Sequence, residues 1–179
     1  MPRIRKSPSQ KREEIREAVW PGSAELTWNR KTSDGFATIP RLLPWITHLL
    51  KHLATGSKTG DPSSAYIELW ARSFDEGIVT IKHEEECAFA AGYSSNRGER
   101  TWSEHMAKLI DLGFILAHQE GHHEFGLVLL LNPIAVAVKL HRENKTPDGW
   151  WASFVRRAQE IGAELPPPLE LPPGLRRQA

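Results

Sequence analysis

The stretch Arg100-Thr-Trp-Ser-Glu-His-Met-Ala-Lys-Leu-Ile-Asp-Leu-Gly-Phe-Ile115 decides how this chain folds. Trp102, Met106, Leu109 and Ile110 recur at the spacing of one helix face, which predicts an amphipathic helix from about Glu99 to Leu112 with that face in a core. Gly113 ends it, because a left-handed residue lets the last carbonyls find donors and glycine adopts that conformation without a steric penalty. Phe114-Ile-Leu-Ala-His118 and Phe125-Gly-Leu-Val-Leu-Leu-Leu131 then read as two strands that turn back around Gly121.

Working back from that helix, Tyr93-Ser-Ser-Asn-Arg-Gly98 reads as a polar turn. His83-Glu-Glu-Glu-Cys-Ala-Phe-Ala-Ala-Gly92 reads as a short helix, its three glutamates complementing the dipole at the start. Gly77-Ile-Val-Thr-Ile-Lys82 is a β-branched run that predicts a strand. Asp61-Pro62 supplies a cap acceptor and a proline for the first helical position. The helix they open is expected to reach about Phe74 and to bury Ala65, Ile67, Leu69, Trp70 and Phe74 in some combination.

That order of elements, with the words Ala88-Phe-Ala-Ala-Gly-Tyr-Ser94 and Arg100 to Ile115, resembles the winged helix-turn-helix family of bacterial regulators and plasmid replication initiators. The ending Leu109-Ile-Asp-Leu-Gly-Phe-Ile115 is similar to the way that family's recognition helix runs into its first wing strand. The resemblance is confined to residues 62–132. It implies a mainly α fold with a small β-wing (α+β), carrying extra N- and C-terminal helices. It also implies binding of double-stranded DNA in transcription regulation or plasmid replication and maintenance, with the third helix in the major groove.

Residue by residue, the resemblance implies that Arg97 and Arg100 take guanine edges or phosphates. Ser95, Asn96 and Thr101 would add polar contacts, Glu104 would accept from a cytosine amino group while repelling phosphate, and Lys108 lies on the same face. A solvated helix face of mixed charge has the same composition, so both readings stand. Binding as a homodimer on a two-fold site is compatible with the family.

The net charge of +1 hides an asymmetry. Residues 1–60 hold 11 basic and 5 acidic groups, residues 61–132 hold 5 and 12, and residues 133–179 hold 7 and 5. Phosphate neutralisation drives nucleic-acid affinity, so the acidic balance of the central segment opposes DNA binding. The hairpin turn His118-Gln-Glu-Gly-His-His-Glu124 carries no Lys or Arg. A basic N-terminal arm with Arg3, Arg5, Lys6, Lys11 and Arg12 is either the missing electrostatic contact or a solubilising tail.

Other chemistry has little support in the sequence. His118, His122 and His123 with Glu120 and Glu124 do not converge on a cation, because neighbouring strand residues point to opposite faces. The loop Gly56-Ser-Lys-Thr-Gly60 lacks the full phosphate-loop pattern. No catalytic pairing has a local motif, so the chain is expected to be neither an enzyme nor a cofactor binder. Cys87 is the only cysteine, which fits a reducing compartment. The longest apolar run is too short to span a bilayer and no signal peptide is read, so a cytoplasmic protein without membrane contact is expected.

The flanks complete three expected regions. Residues 1–38 form the basic arm and an irregular segment, with a helix from Ser9 as cap to Trp20. Residues 39–163 form the main domain, including a helix from about Pro40 to Thr55 with the stripe Leu42, Ile46, Leu49, Leu50 and Leu53. Two later helices, Ile134 to about Glu143 and Asp148 to about Ile161, belong to it as well. The tandem Trp150 and Trp151 either close a core or anchor a protein partner. Residues 164–179 are a proline-rich tail, expected to be extended and disordered, a second candidate for binding another protein. In the alternative to DNA binding, the winged helix is a protein interaction module or adaptor.

Overall fold

The computed structural model describes residues 6–94, 97–172 and 175. The chain divides into two compact units, Met1–Phe36 and Ala37–Ala179. In the first, α1 (Pro8–Val19) is capped by Ser7 and not by the expected Ser9. The Ser7 hydroxyl accepts from the Gln10 N–H at 3.2 Å and the Ser7 N–H donates to Gln10 Oε1 at 2.8 Å, a reciprocal capping box. Proline at position 8 suits the first turn, which moves the start one residue ahead of Ser9. A 3-10 turn (Ser23–Leu26) follows, and Trp28 meets Phe36 edge to face at 6.3 Å.

The second unit holds six helices: α2 (Leu43–Leu53), α3 (Ser63–Arg72), α4 (Glu84–Ala90), α5 (Gly98–Asp111), α6 (Pro133–Arg142) and α7 (Trp150–Glu160). Its strands β1 (Ile78–Thr80), β2 (Ile115–Glu120) and β3 (His123–Leu130) form one antiparallel sheet in the order β1-β3-β2. The fold is therefore α+β, with seven α-helices and a small three-stranded sheet among the described residues.

Local chemistry explains most boundaries. In α2, Pro44 sits in the first turn, where no helical hydrogen bond is lost, and Leu42, Ile46, Leu49 and Leu50 are buried. α3 starts one residue later than expected: Pro62 is the N-cap with no side-chain cap bond, and Asp61 Oδ1, just ahead of it, accepts from the Ser63 N–H at 3.0 Å. The expected burial of α3 needs correction. Phe74 lies past the helix end and is 80% exposed, Ile67 is 50% exposed, and Tyr66 fills the core instead. Its ring meets Phe114 at 5.4 Å and Trp70 at 6.2 Å, both edge to face.

The junction between α5 and β2 follows from Gly113, whose φ is +78°. The Gly113 N–H donates to the Ile110 carbonyl and the Phe114 N–H to the Leu109 carbonyl, both at 2.9 Å. This paired closure satisfies two orphan carbonyls and delivers Phe114 into the core, where it is fully buried. In the sheet, Val79 and Ala117 both pair with Val128, and this side faces the helices. The opposite face carries Ile78, Thr80, Leu116, His118, Leu127 and Leu129.

After β3, Asn132 caps α6 by accepting from the N–H groups of Ile134 and Ala135. Trp150 is buried and stacks on Phe154 at 4.8 Å, while Trp151 stacks on His141 at 4.0 Å. Trp151 thus joins α7 to α6, while Trp150 fills the core beside Phe154. Leu165 and Leu169 pack on the core, and the Leu169 N–H donates to the Ala135 carbonyl at 3.1 Å.

Replacing Gly113 with alanine puts a Cβ on a left-handed residue, at a cost of about 1–2 kcal/mol. Urea unfolding of Gly113→Ala is expected to show a lower midpoint with an unchanged slope, and an unchanged midpoint would contradict the cap assignment.

Candidate nucleic-acid interface

The placement of α5 begins with its buried face. Trp102, Met106 and Leu109 are fully buried, and Ile110 is half-buried against the same core. His105 shares this face and is only 4% exposed. Its Nε2 lies 2.6 Å from the Thr59 carbonyl oxygen and its Nδ1 lies 2.7 Å from the Tyr93 hydroxyl. A carbonyl only accepts, so Nε2 carries the proton. In the neutral ring Nδ1 then accepts from the Tyr93 O–H. One imidazole and one phenol therefore fasten α5 to the 56–60 loop and to the chain leaving α4.

A second restraint sets where α5 starts. Gly98 is buried, and a Cβ there would lie 2.1 Å from the Tyr93 carbonyl oxygen. Only a residue without a side chain lets the turn close so tightly on the helix start.

With one face held, the opposite face of α5 is fixed in space. Arg97 is exposed at the N-cap position and Arg100 is exposed one turn on. Thr101, Glu104 and Lys108 are half-buried on neighbouring positions of that side. Arg100 does not stand alone: its Nε lies 2.8 Å from Glu104 Oε1, one helical turn away. Ser95 and Asn96 lie outside the described residues, as do Arg3 and Arg5 of the arm. Of the other arm residues, Lys6, Lys11 and Arg12 are exposed, and Lys6 pairs with Glu14 at 2.5 Å.

Next to this face, Glu85, Phe89, Tyr93, Ser94, Glu99 and Arg100 line an open groove of about 520 Å³ between α4 and α5. Phe89 is 72% exposed there. Glu84, Glu85 and Glu86 occupy the first turn of α4, where they complement its dipole, and Glu85 with Glu99 puts carboxylates on the groove. The hairpin adds no fixed positive charge, since His118 to Glu124 holds no Lys or Arg. The exposed face thus mixes arginine with carboxylate, and paired charges account for part of it.

The sequence reading missed His105 and Tyr93 as fixing residues. His105 lies three positions after Trp102 and four before Leu109, so its place on the apolar face was available from the spacing alone. Among the described residues no three His, Cys, Asp or Glu side chains are grouped to hold a metal ion. No helix among them is long and apolar enough to cross a membrane. Comparison with known proteins finds no matching family model, curated protein or solved structure.

His105→Ala leaves the Thr59 carbonyl and the Tyr93 hydroxyl without their partner and opens a void beside Trp102. A loss of about 1–3 kcal/mol is expected in denaturant unfolding, and a loss under 0.5 kcal/mol would contradict the fastening role.

Burial raises both phenols, Tyr66 and Tyr93, above the ordinary 10.0, and the Asp61 carboxylate adds to the effect at Tyr93. Each tyrosine keeps its proton in the fold at a pH where the unfolded chain loses it, so stability falls as pH rises from about 10. These are the only two tyrosines, so phenolate absorbance should appear above pH 10 and together with unfolding. Ionisation near pH 10 in the folded protein would contradict this.

Proposed function

We propose that this protein binds double-stranded DNA through a winged helix-turn-helix, with α5 as the recognition helix and the β2–β3 hairpin as the wing. The supporting observation is the rigid presentation of α5: its inner face is locked by Trp102, His105, Met106 and Leu109 while Arg97 and Arg100 are exposed at its N-terminal end. Helices of this kind read base edges with their first turns. The succession α3, β1, α4, turn, α5 and hairpin, with the tight Gly113 exit, is the layout such a module uses.

The Arg100–Glu104 pair fits this reading when Glu104 acts as an orienting group. The contact engages Nε and holds the guanidinium plane, and the terminal nitrogens are those that reach guanine O6 and N7. Glu104 also tempers affinity for phosphate, which favours base reading over non-specific charge attraction. Electrostatic attraction then comes from the residues 1–60, which hold 11 basic against 5 acidic groups. The role is that of a regulator or a plasmid replication and maintenance factor, acting in the cytoplasm without a cofactor and without catalysis.

A second reading has its own observation. Phe89, 72% exposed in a groove rimmed by Glu85 and Glu99, suits a basic protein segment better than a phosphate backbone. In that case the winged helix is an interaction module.

Fluorescence anisotropy with random-sequence duplex DNA over a salt series separates the two. Binding that weakens steeply with salt and falls about tenfold or more in Arg97→Ala/Arg100→Ala is expected. Binding lost instead in Arg3→Ala/Arg5→Ala/Lys6→Ala would move the contact to the arm. No binding at low salt would overturn the DNA reading and favour the second. Glu104→Gln is expected to raise affinity for random DNA several-fold, and a decrease would show that Glu104 serves the contact by more than charge.

A further inference from the structure

The strand β1 lies at one edge of the sheet, whose order is β1-β3-β2. Toward β3, the Gly77 carbonyl accepts from the Leu130 N–H at 2.8 Å, and the Ile81 N–H donates to the Gly126 carbonyl at 2.9 Å. Alternate residues of an antiparallel ladder turn their main chain to alternate sides, so Gly77, Val79 and Ile81 face β3. The N–H and C=O groups of Ile78 and Thr80 therefore point to the open side. Among the described residues nothing bonds to them there. Ile78 is 51% exposed, and Thr80 is exposed as well.

An open edge is a template for another strand unless charge, proline or a bulge guards it. Ile78-Val-Thr80 carries none of these. The charges stand at its two ends and have opposite sign. The Asp75-Glu76 turn enters the strand and Lys82 leaves it, all three exposed. Two copies set edge to edge in parallel would put Glu76 beside Glu76. Set antiparallel about a two-fold axis at Val79, they bring the acidic entry of each strand to the Lys82 end of the other. That register also places Ile78 opposite Thr80 of the second copy, so the outward N–H and C=O groups of both residues find partners. The two Ile78 side chains then lie diagonally across the new pairing on the outer sheet face, each beside a threonine. Glu84, Glu85 and Glu86 follow Lys82 in the first turn of α4 and temper the attraction. Charge thus sets the direction of pairing, while the main chain supplies the bonds.

We propose that β1 is a self-association edge: two copies of this chain pair antiparallel through Ile78–Thr80 and join their sheets into one. The strand is short, so the dimer is reversible and depends on concentration. The assignment stands apart from the DNA reading, because it concerns assembly in the absence of DNA.

Sedimentation equilibrium of the full chain at low salt, without DNA and over a wide concentration range, tests it. A reversible monomer–dimer equilibrium is expected. Lys82→Glu sets like charges against Asp75 and Glu76 of the second copy and should weaken dimerisation about tenfold. Adding Glu76→Lys to that variant should recover most of the loss. Thr80→Pro removes an N–H on the open side and none that bonds β3, so it should leave the circular dichroism unchanged and abolish the dimer. A chain that stays monomeric throughout overturns the proposal, as does a dimer indifferent to both Lys82→Glu and Thr80→Pro. If Thr80→Pro unfolds the protein, the charge swap decides: a loss that Glu76→Lys does not recover overturns the antiparallel register.

Discussion

The buried imidazole of His105 is the constraint on which the arrangement of the central helices depends. A polar ring at the core face of a helix destabilises the fold unless both nitrogens are bonded. Here the carbonyl of Thr59, 46 residues away in sequence, and the hydroxyl of Tyr93, 12 residues away, supply those bonds. Neither partner is local, so the ring is satisfied only when the 56–60 loop, the turn before α5 and α5 itself are all in place. Apolar side chains such as Met106 would tolerate small rotations of α5 about its axis. Two short hydrogen bonds do not, because each weakens steeply when its angle changes.

That restraint bears on function through the opposite face. Fixing His105 fixes the direction in which Arg97, Arg100, Glu104 and Lys108 project, and recognition by a helix requires placement to a fraction of an ångström. Gly98 adds a stop at the N-terminal end by allowing the Tyr93 carbonyl to close on it. At the C-terminal end the left-handed Gly113 sends the chain directly into β2. The candidate interface is therefore one rigid helix with both ends defined. Its charge is balanced, which makes geometry the main source of any specificity it has.

Features governed by local periodicity were legible in the sequence. The Trp102-Met106-Leu109 stripe, the glycine stop after α5, the Leu42-Ile46-Leu49-Leu50 stripe and the leucine-rich strand all depend on spacing that neighbouring residues set. The partners of buried polar residues were not legible: spacing put His105 on the apolar face, but residue type gives no hint of a carbonyl 46 positions earlier. Phe74 and Ile67 misled: apolar type suggested burial, but α3 ends at Arg72 and turns Ile67 outward. In the C-terminal segment, Leu165 and Leu169 lie between prolines and pack on the core, which the proline-rich composition did not signal. The exposure of Arg97 and Arg100 agrees with the sequence reading, while the Arg100–Glu104 pairing emerged only from the structure.

The most direct measurement is a backbone amide chemical-shift map of the full chain titrated with a short duplex DNA at low salt. The account predicts that the largest changes fall on residues 94–104 and on the 118–124 hairpin, with the buried positions around His105 unmoved. Changes confined to α1, or changes centred on Phe89 and the start of α4 with α5 silent, would contradict α5 as the contacting helix.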